Sequence, residues 1–547
     1  MTLKLVDLFA FLSVILRAGT LVFQSLLLGG VLFVLWVARV SPESSQESVG
    51  RIHASSRGLL RISAIGLAVV ELFYLYVNSA VLMVTAEIGI ASVVGANFFI
   101  AGSLALTAAL MTAIYAGVRR NIATWALPAL AVVTIGASVM TNHAASRIEG
   151  RALLITLSCI HELATGFWIG GLPFLMLALF RAKDLGTRWS ITWRFSRMAV
   201  VSVVMLVSSG TLMSLFYIGS WKAVPGTAYG VMVGAKATML AILLVLGGAN
   251  YLLLRRNTQE EEGIQRVRRL IEAEVGIGIT IVLAAASLTS QPPAVDQLNE
   301  TVTLQQIYQR LRPLVPRLTY AYVAEPGSST RHAKAGAEML ASRAGAFDID
   351  GVPLTRKMIN DSIESESNHH WMGLIVLAMG LVAVLARTGK VGWAEYWPLL
   401  LIGVTIFIFV QADTECWPVG PKGFWACWAD PEVFQHRLAG LVCVGFAISE
   451  LRVRRQRPEN NSLALVFPLM CAVGGAVLLT HSHAITNVKE NLLVELSHVP
   501  MGVFAVLAGW SRWLELRLPQ KDRGIPAWIW PACFVLIGLG LLNYREM

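Results

Sequence analysis

Residues 141–181 read TNHAASRIEGRALLITLSCIHELATGFWIGGLPFLMLALFR. A histidine in a short polar turn, His143, precedes a long apolar run that contains His161 and Glu162. An ionisable pair inside an apolar span is costly, so it usually faces a bundle interior or a water-filled path. Gly166 and Gly170 follow at a spacing of four, which lets another helix approach closely just below that pair. The stretch therefore predicts a buried polar site in a membrane helix bundle.

The composition of the whole chain predicts the same fold class. Of the 547 residues, 55% are hydrophobic and only 14% are charged, whereas a soluble protein carries about 25% charged residues. The apolar residues form long blocks of about the 20 residues that a helix needs to cross a bilayer. The first block, residues 8–37, is too long for the apolar part of a signal peptide, so we expect no cleavable leader. We expect an all-α, polytopic membrane helix bundle.

Basic residues alternate regularly along the predicted spans. We count about fourteen spans, which start near residues 11, 59, 96, 122, 151, 197, 230, 273, 370, 396, 433, 463, 491 and 526. Every second loop between them is rich in Arg and Lys, and short basic loops mark the cytoplasmic side. We therefore expect a multi-pass protein of the bacterial inner membrane with both termini periplasmic. These loops also account for the net charge of +10, so we expect no nucleic-acid partner.

A long polar segment interrupts the series of spans and divides the chain. The prediction has three parts: an N-terminal membrane domain of eight spans (1–291), a periplasmic segment (292–368) and a C-terminal, histidine-rich membrane domain of six spans (369–547).

The histidines concentrate on one predicted side of the membrane. Of the ten, only His53 lies on the cytoplasmic side. Imidazole ligates copper, zinc and haem iron and also relays protons, although any single buried histidine equally serves as a hydrogen-bond partner for a neighbouring helix. As a set, the outer histidines predict a metal or cofactor site, for which the candidates are His143, His161, His369, His370, His436, His481, His483 and His498.

Three charged residues are candidates for supporting roles. Glu162 lies next to His161, and Lys236 lies in the seventh predicted span, where it either snorkels, pairs or lines a path. Glu495 precedes His498 by three residues, so the two share a helix face. Glu495 either orients that imidazole or makes an ordinary hydrogen bond on the helix surface.

The cysteines predict no thiolate metal site. None of the six forms a Cys-x-x-Cys pair, which is the usual spacing of such sites. Cys416 and Cys427 share a predicted outer loop, CWPVGPKGFWAC. An oxidising compartment permits a disulfide there, and two free thiols are the alternative.

Short motifs between Trp193 and Arg256 resemble a known family. They are Arg194-Phe195-Ser196, Ser209-Gly210, Thr227-Ala228-Tyr229-Gly230, Lys236 and Asn250, preceded by the run from His161-Glu162-Leu163 to Phe167-Trp168-Ile169-Gly170-Gly171. In these features the chain is similar to the copper resistance D (CopD) family of bacterial inner-membrane proteins. The stretches that contain His369, His436 and His481 resemble the C-terminal extension of longer family members. The resemblance implies copper handling, as uptake from the periplasm into the cytoplasm.

Two functions stay open at this point. In the first, the protein transports copper: outer histidines capture the ion, and His161 and His498 pass it inward. Its partners are the copper ion, the lipid bilayer and, as a candidate, a periplasmic copper-binding protein. In the second, it is a b-type haem protein of electron transfer or haem handling, in which histidines of neighbouring helices ligate the iron. The chain lacks a Walker A loop, so we expect no ATP-driven pump. We also expect that the protein is not an enzyme.

Overall fold

A computed structural model describes most of the chain. The residues described are 9–39, 45–118, 123–256, 260–289, 291–297, 300–318, 355–413, 416–418, 420–429, 431–456, 462–480 and 488–546. Within these ranges the structure is helical, with one isolated bridge between Cys416 and Lys422. The all-α, polytopic bundle that the composition predicts is confirmed.

The helices are described here in chain order. They are α1 (Phe9–Leu32), α2 (Gln46–Thr85), α3 (Ile90–Val94), α4 (Asn97–Gly117), α5 (Ala123–Met140), α6 (His143–Ser146), α7 (Arg151–Arg181), α8 (Leu185–Ile218), α9 (Ala223–Gly226), α10 (Ala228–Arg255), α11 (Glu261–Thr289), α12 (Leu304–Leu311), α13 (Arg356–Arg387), α14 (Leu400–Phe407), α15 (Phe424–Ala429), α16 (Pro431–Gln456), α17 (Val466–Thr480), α18 (Val488–Arg517) and α19 (Gly524–Leu542). Short 3-10 or π turns lie at Phe33–Val37, Ala294–Asp296, Gly392–Leu399, Ile408–Ala412, Ser462–Leu465 and Gln520–Asp522.

Twelve helices among the described residues are long and apolar enough to cross a membrane, and α5 contains a shorter apolar stretch, Trp125–Met140. Several of their large apolar side chains are exposed, such as Val132 (68%) and Val245 (72%). A lipid-facing surface explains this exposure, because side chains of this type are most often buried in soluble proteins. The count of fourteen spans and the orientation of the termini stay predictions.

Polar side chains determine where the long helices begin. Asp184 accepts a hydrogen bond from the backbone N–H of Thr187 at the start of α8 (2.8 Å), and Thr355 caps α13 in the same way. Such caps satisfy backbone donors that have no partner within the helix.

The chain divides into two compact units. Unit one comprises residues 1–221, 232–296 and 480–482, and unit two comprises residues 222–231, 297–479 and 483–547. The predicted boundaries at 291/292 and 368/369 stay predictions.

Glycines bring helix backbones into contact in unit one. A Cβ added at Gly170 of α7 would lie 1.8 Å from the carbonyl oxygen of Ser25 in α1, and one added at Gly166 would lie 2.6 Å from Leu28 Cβ. The close approach predicted for these two glycines therefore occurs, and its partner is α1.

Unit two is organised around a buried network of ions. Arg512 of α18 donates to Glu450 of α16 and, at 2.7 Å, to Glu515 of its own helix. Glu515 also accepts from Trp530 Nε1 of α19 at 2.7 Å and pairs with Arg387 of α13. Arg512, Glu450 and Glu515 are all buried, so the network connects four helices where water cannot replace its contacts.

The loop before α16 is closed by a disulfide between Cys416 and Cys427, whose Cα atoms lie 5.8 Å apart. Both cysteines are buried and pack with Val433. The other four cysteines, Cys159, Cys443, Cys471 and Cys533, are free thiols.

Alkylation of the denatured protein tests this pairing. Without reduction we expect modification of only four of the six cysteines, and a linked peptide that contains Cys416 and Cys427 in mass spectrometry. Because the bond closes a short loop, its loss should cost about 2–3 kcal/mol. Labelling of both residues before reduction would show that the bond is not formed in the native protein.

Candidate metal-binding clusters

Two polar clusters contain histidines that the sequence analysis selected, one cluster in each unit. Cluster one lies in unit one and consists of His161, Glu162 and the side chains that contact them. Cluster two lies in unit two and consists of His369, His498 and Tyr544. Each contains imidazoles that the sequence analysis selected.

Glu162 of cluster one has two hydrogen-bond donors. Gln24 Nε2 of α1 donates to Oε2 at 2.8 Å, and Ser138 Oγ of α5 donates to Oε1 at 3.2 Å. A buried carboxylate is costly unless it is paired or hydrogen-bonded. These two donors lower that cost and hold the carboxylate between three helices.

The polar chain continues from Gln24 towards a second acid, Glu71, which is buried. Thr20 Oγ1, one turn before Gln24 on α1, donates to Glu71 Oε1 of α2 at 2.8 Å. Thr20, Gln24, Glu71 and Arg17 line a small cavity of about 20 Å³, which is enough for one water molecule. Two acids, one guanidinium and room for water thus lie together between apolar helices.

His161 faces a different helix, because neighbouring residues of a helix point in directions about 100° apart. Its Nδ1 lies 3.2 Å from Ser209 Oγ of α8. The Ser209 hydroxyl donates its only hydrogen to the carbonyl oxygen of Met205 (2.6 Å), so towards the imidazole it accepts. The proton of His161 therefore sits on Nδ1, and Nε2 carries the lone pair.

Small and charged neighbours complete the surroundings of His161. A Cβ added at Gly210 would lie 3.2 Å from His161 Cε1, so glycine at this position makes room for the ring. Lys236 of α10 is close enough to His161 for an electrostatic interaction. Lys236, which the sequence analysis selected for a supporting role, therefore lies near His161.

His143 lies at the start of α6, outside the membrane-spanning helices. Its ring meets the ring of Tyr217 edge to face, with centroids 6.3 Å apart, and its Nε2 is buried without a hydrogen-bond partner. Burial, followed by the positive charges of Arg147 and Arg17, holds the pKa of His143 below its usual range. The imidazole is therefore neutral near pH 7, the form that binds a metal ion.

Cluster two joins two helices and the chain that follows α19. His369 Nδ1 donates to the carbonyl oxygen of Ser365 (2.7 Å), and His498 Nδ1 donates to that of Val494 (2.9 Å). The two imidazole centroids lie 5.8 Å apart with nearly perpendicular planes. Tyr544 stacks on His369 at 3.8 Å and meets His498 edge to face at 5.4 Å. Because a carbonyl can only accept, both histidines carry their lone pair on Nε2.

His370 makes different contacts, although it is adjacent to His369. Its Nε2 donates to the carbonyl oxygen of Tyr544 (3.0 Å), and its Nδ1 accepts from the backbone N–H of Arg317 (2.9 Å). Arg317 also pairs with Glu366 at 3.2 Å. Both ring nitrogens of His370 thus connect α13 to two other segments.

The remaining predicted residues lie apart from these contacts. His436 Nδ1 pairs with Asp413 Oδ1 at 3.0 Å, an arrangement that orients an imidazole. Glu495 is buried, and its Oε2 has no hydrogen-bond partner. His481 and His483 lie outside the described residues. Within the part of the chain that is described, no group of three or more His, Cys, Asp or Glu side chains could hold a metal ion.

The structure adds residues that the sequence analysis did not select. Gln24 and Thr20 are polar residues inside an apolar span, and that signal was present in the sequence. Tyr544 and Glu366 were not detectable, because neither the polar tail after α19 nor the start of α13 has a pattern that links it to His369.

Comparison with known proteins finds similarity over part of the chain. The family model described as copper resistance protein D (CopD) matches residues 190–288, which include most of α8, α10 and α11. Over 176 residues the chain is 32% identical to the copper transport protein CutJ of Bacillus subtilis (strain 168). The aligned region covers 31% of this chain, which spans 31% of the length of that relative. No solved structure matches the chain. The chain is thus a polytopic helical membrane protein in which residues 190–288 match the CopD family model.

Proposed function

We propose that this protein transports copper ions across the bacterial inner membrane, with uptake from the periplasm. Two findings support the proposal: the CopD segment, and the similarity to a protein named for copper transport. The alternation of basic loops supports a periplasmic location of both termini. Copper is the cargo in this proposal, and a periplasmic copper-binding protein is a candidate donor.

The tautomer shared by three imidazoles is the observation that carries the proposal. His161, His369 and His498 each direct Nδ1–H to an oxygen atom, so Nε2 is the basic nitrogen of each. Ligating histidines commonly donate their other N–H in this way, which orients the ring and raises its basicity. Imidazole nitrogen is a suitable ligand for copper.

Two carboxyl groups give the path of unit one oxygen atoms that can compensate a cation. Glu162 and Glu71 lie on one chain of contacts with Gln24 and Thr20. A cation that enters an apolar bundle loses its hydration, and nearby acids and amide or hydroxyl oxygens compensate part of that loss. We infer that copper passes this chain of side chains between His143 and His161.

Glutamine substitutions test the imidazoles without removing hydrogen bonding. We expect His161→Gln and His498→Gln to insert and fold like the parent, because the glutamine amide can still donate to a nearby oxygen. Each should nevertheless lower copper accumulation by about ten-fold or more, because an amide oxygen is a poor ligand for copper(I). The measurement is the copper content of cells that carry equal amounts of each protein in the membrane.

His53→Gln is the matched control, since His53 belongs to neither cluster and lies on the predicted cytoplasmic side. We expect it to accumulate copper like the parent. If both His161→Gln and His498→Gln also match the parent, these imidazoles do not bind the cargo and the proposal fails.

The haem alternative rests on cluster two, where histidines of two different helices have neighbouring rings. Axial ligation by such a pair is typical of b-type haem proteins. The visible spectrum of the purified protein separates the two functions. A Soret band that His498→Gln abolishes would favour haem, whereas bound copper without a Soret band would favour transport.

A further inference from the structure

Unit one contains a second cavity that plays no part in the proposed copper path. It has a volume of about 270 Å³ and lies between α7, α8, α10 and α11. Three aromatic residues, Trp168, Phe195 and Tyr251, line it together with aliphatic side chains. Its polar lining includes Asn250 and Glu274.

Asn250 and Glu274 form an incomplete pair of buried polar groups. Asn250 Nδ2 of α10 donates to Glu274 Oε1 of α11, and the two residues are only 7% and 3% exposed. The other end of the amide, Oδ1, is buried without a hydrogen-bond partner. An unsatisfied buried acceptor is costly, so a ligand that donates a hydrogen bond to it would be stabilised.

The mouth of the cavity determines what kind of molecule can enter. Val200 and Val204 of α8 line the cavity and are 49% and 64% exposed. Both lie within a helix that is long and apolar enough to cross a membrane. A molecule that is dissolved in the bilayer can therefore enter from the side, between lipid-facing valines.

We propose that this cavity binds the aromatic head of a membrane-soluble quinol. The cavity is slightly smaller than typical drug-sized pockets, and it accommodates one substituted ring rather than a whole lipid. Its aromatic lining favours a planar ring. One quinol hydroxyl supplies the donor that Asn250 Oδ1 lacks. A metal ion would fit poorly, because the cavity is far larger than a cation and its lining contains no His or Cys. The proposal is independent of the copper path.

Binding of a short-tailed benzoquinol and of its benzoquinone tests the proposal. The full-length protein is placed in lipid nanodiscs, and both ligands are titrated by calorimetry under oxygen-free conditions. We expect saturable binding of the quinol at one site per chain. The quinone has the same ring and tail but no hydroxyl donor, so it should bind about ten-fold more weakly.

A substitution that fills the cavity tests the binding site, and the same substitution at another glycine of α10 is its control. Gly248 lines the cavity, and a Cβ added there meets nothing within 4 Å. Gly248→Leu should therefore fold and lower quinol affinity by at least about ten-fold. Gly234 also has open space within 4 Å and is absent from the cavity lining, so Gly234→Leu should bind like the parent.

A third variant tests the hydrogen bond separately from the volume. Asn250→Leu keeps much of the side-chain volume but removes the acceptor, so it should abolish the preference for quinol over quinone. Equal affinity of the parent for both ligands would show that the ring and tail bind without the hydrogen bond to Asn250, and this would overturn the proposal. Absence of saturable binding, or unchanged binding by Gly248→Leu, would overturn it as well.

Discussion

Replacement of Gly170 by leucine should leave essentially no correctly folded protein in the membrane. A Cβ at this position would lie 1.8 Å from the carbonyl oxygen and 2.4 Å from the carbonyl carbon of Ser25. These are backbone atoms of α1, so no change of rotamer can relieve the overlap. The two helices would have to separate, and the hydrogen bond from Gln24 of α1 to Glu162 of α7 would break. Size-exclusion chromatography of a fluorescent fusion in mild detergent measures the folded fraction.

Gly136→Leu is the control for this effect. Gly136 lies in α5, where a Cβ meets nothing within 4 Å, so the same substitution should give a monodisperse protein in parental amounts. A monodisperse Gly170→Leu protein with parental thermal stability would contradict the packing of α1 on α7.

Replacement of Arg512 by methionine should cause the largest loss of stability among the charge substitutions in unit two. It would leave Glu450 and Glu515 without their shared partner, and these two residues are only 1% and 7% exposed. Removal of one member of a buried ion pair typically costs about 3–5 kcal/mol. Thermal unfolding in detergent, followed by the change in tryptophan fluorescence, should show a clear decrease in Tm.

Arg452→Met of α16 is the control, because Arg452 is exposed and its loss should change stability by less than about 0.5 kcal/mol. The triple variant Arg512→Met, Glu450→Gln, Glu515→Gln should recover part of the loss, since replacement of a whole buried ionic group is often tolerated. If Arg512→Met unfolds at the parental temperature, the network does not stabilise unit two.

The sequence was sufficient to predict those features that depend on local chemistry. The length of an apolar block determines whether a helix can cross a bilayer, and that property does not depend on which helix packs beside it. The spacing of Gly166 and Gly170 likewise predicted a close helix contact. The positions of His161 and Glu162 within an apolar helix predicted that both would face other helices, and His161 contacts α8 while Glu162 contacts α1 and α5.

Only the tertiary structure decided which atoms these residues meet. His369 and His370 are adjacent and chemically identical, yet His369 stacks on Tyr544 while both nitrogens of His370 bind backbone groups. Their side chains leave the helix about 100° apart, and the partners of His370 come from segments 53 and 174 residues away. The same holds for Glu162, whose partner Gln24 lies 138 residues earlier. Helical periodicity is encoded locally, whereas the partner of a buried polar group depends on how distant helices pack, and this is why only the tertiary structure identifies it.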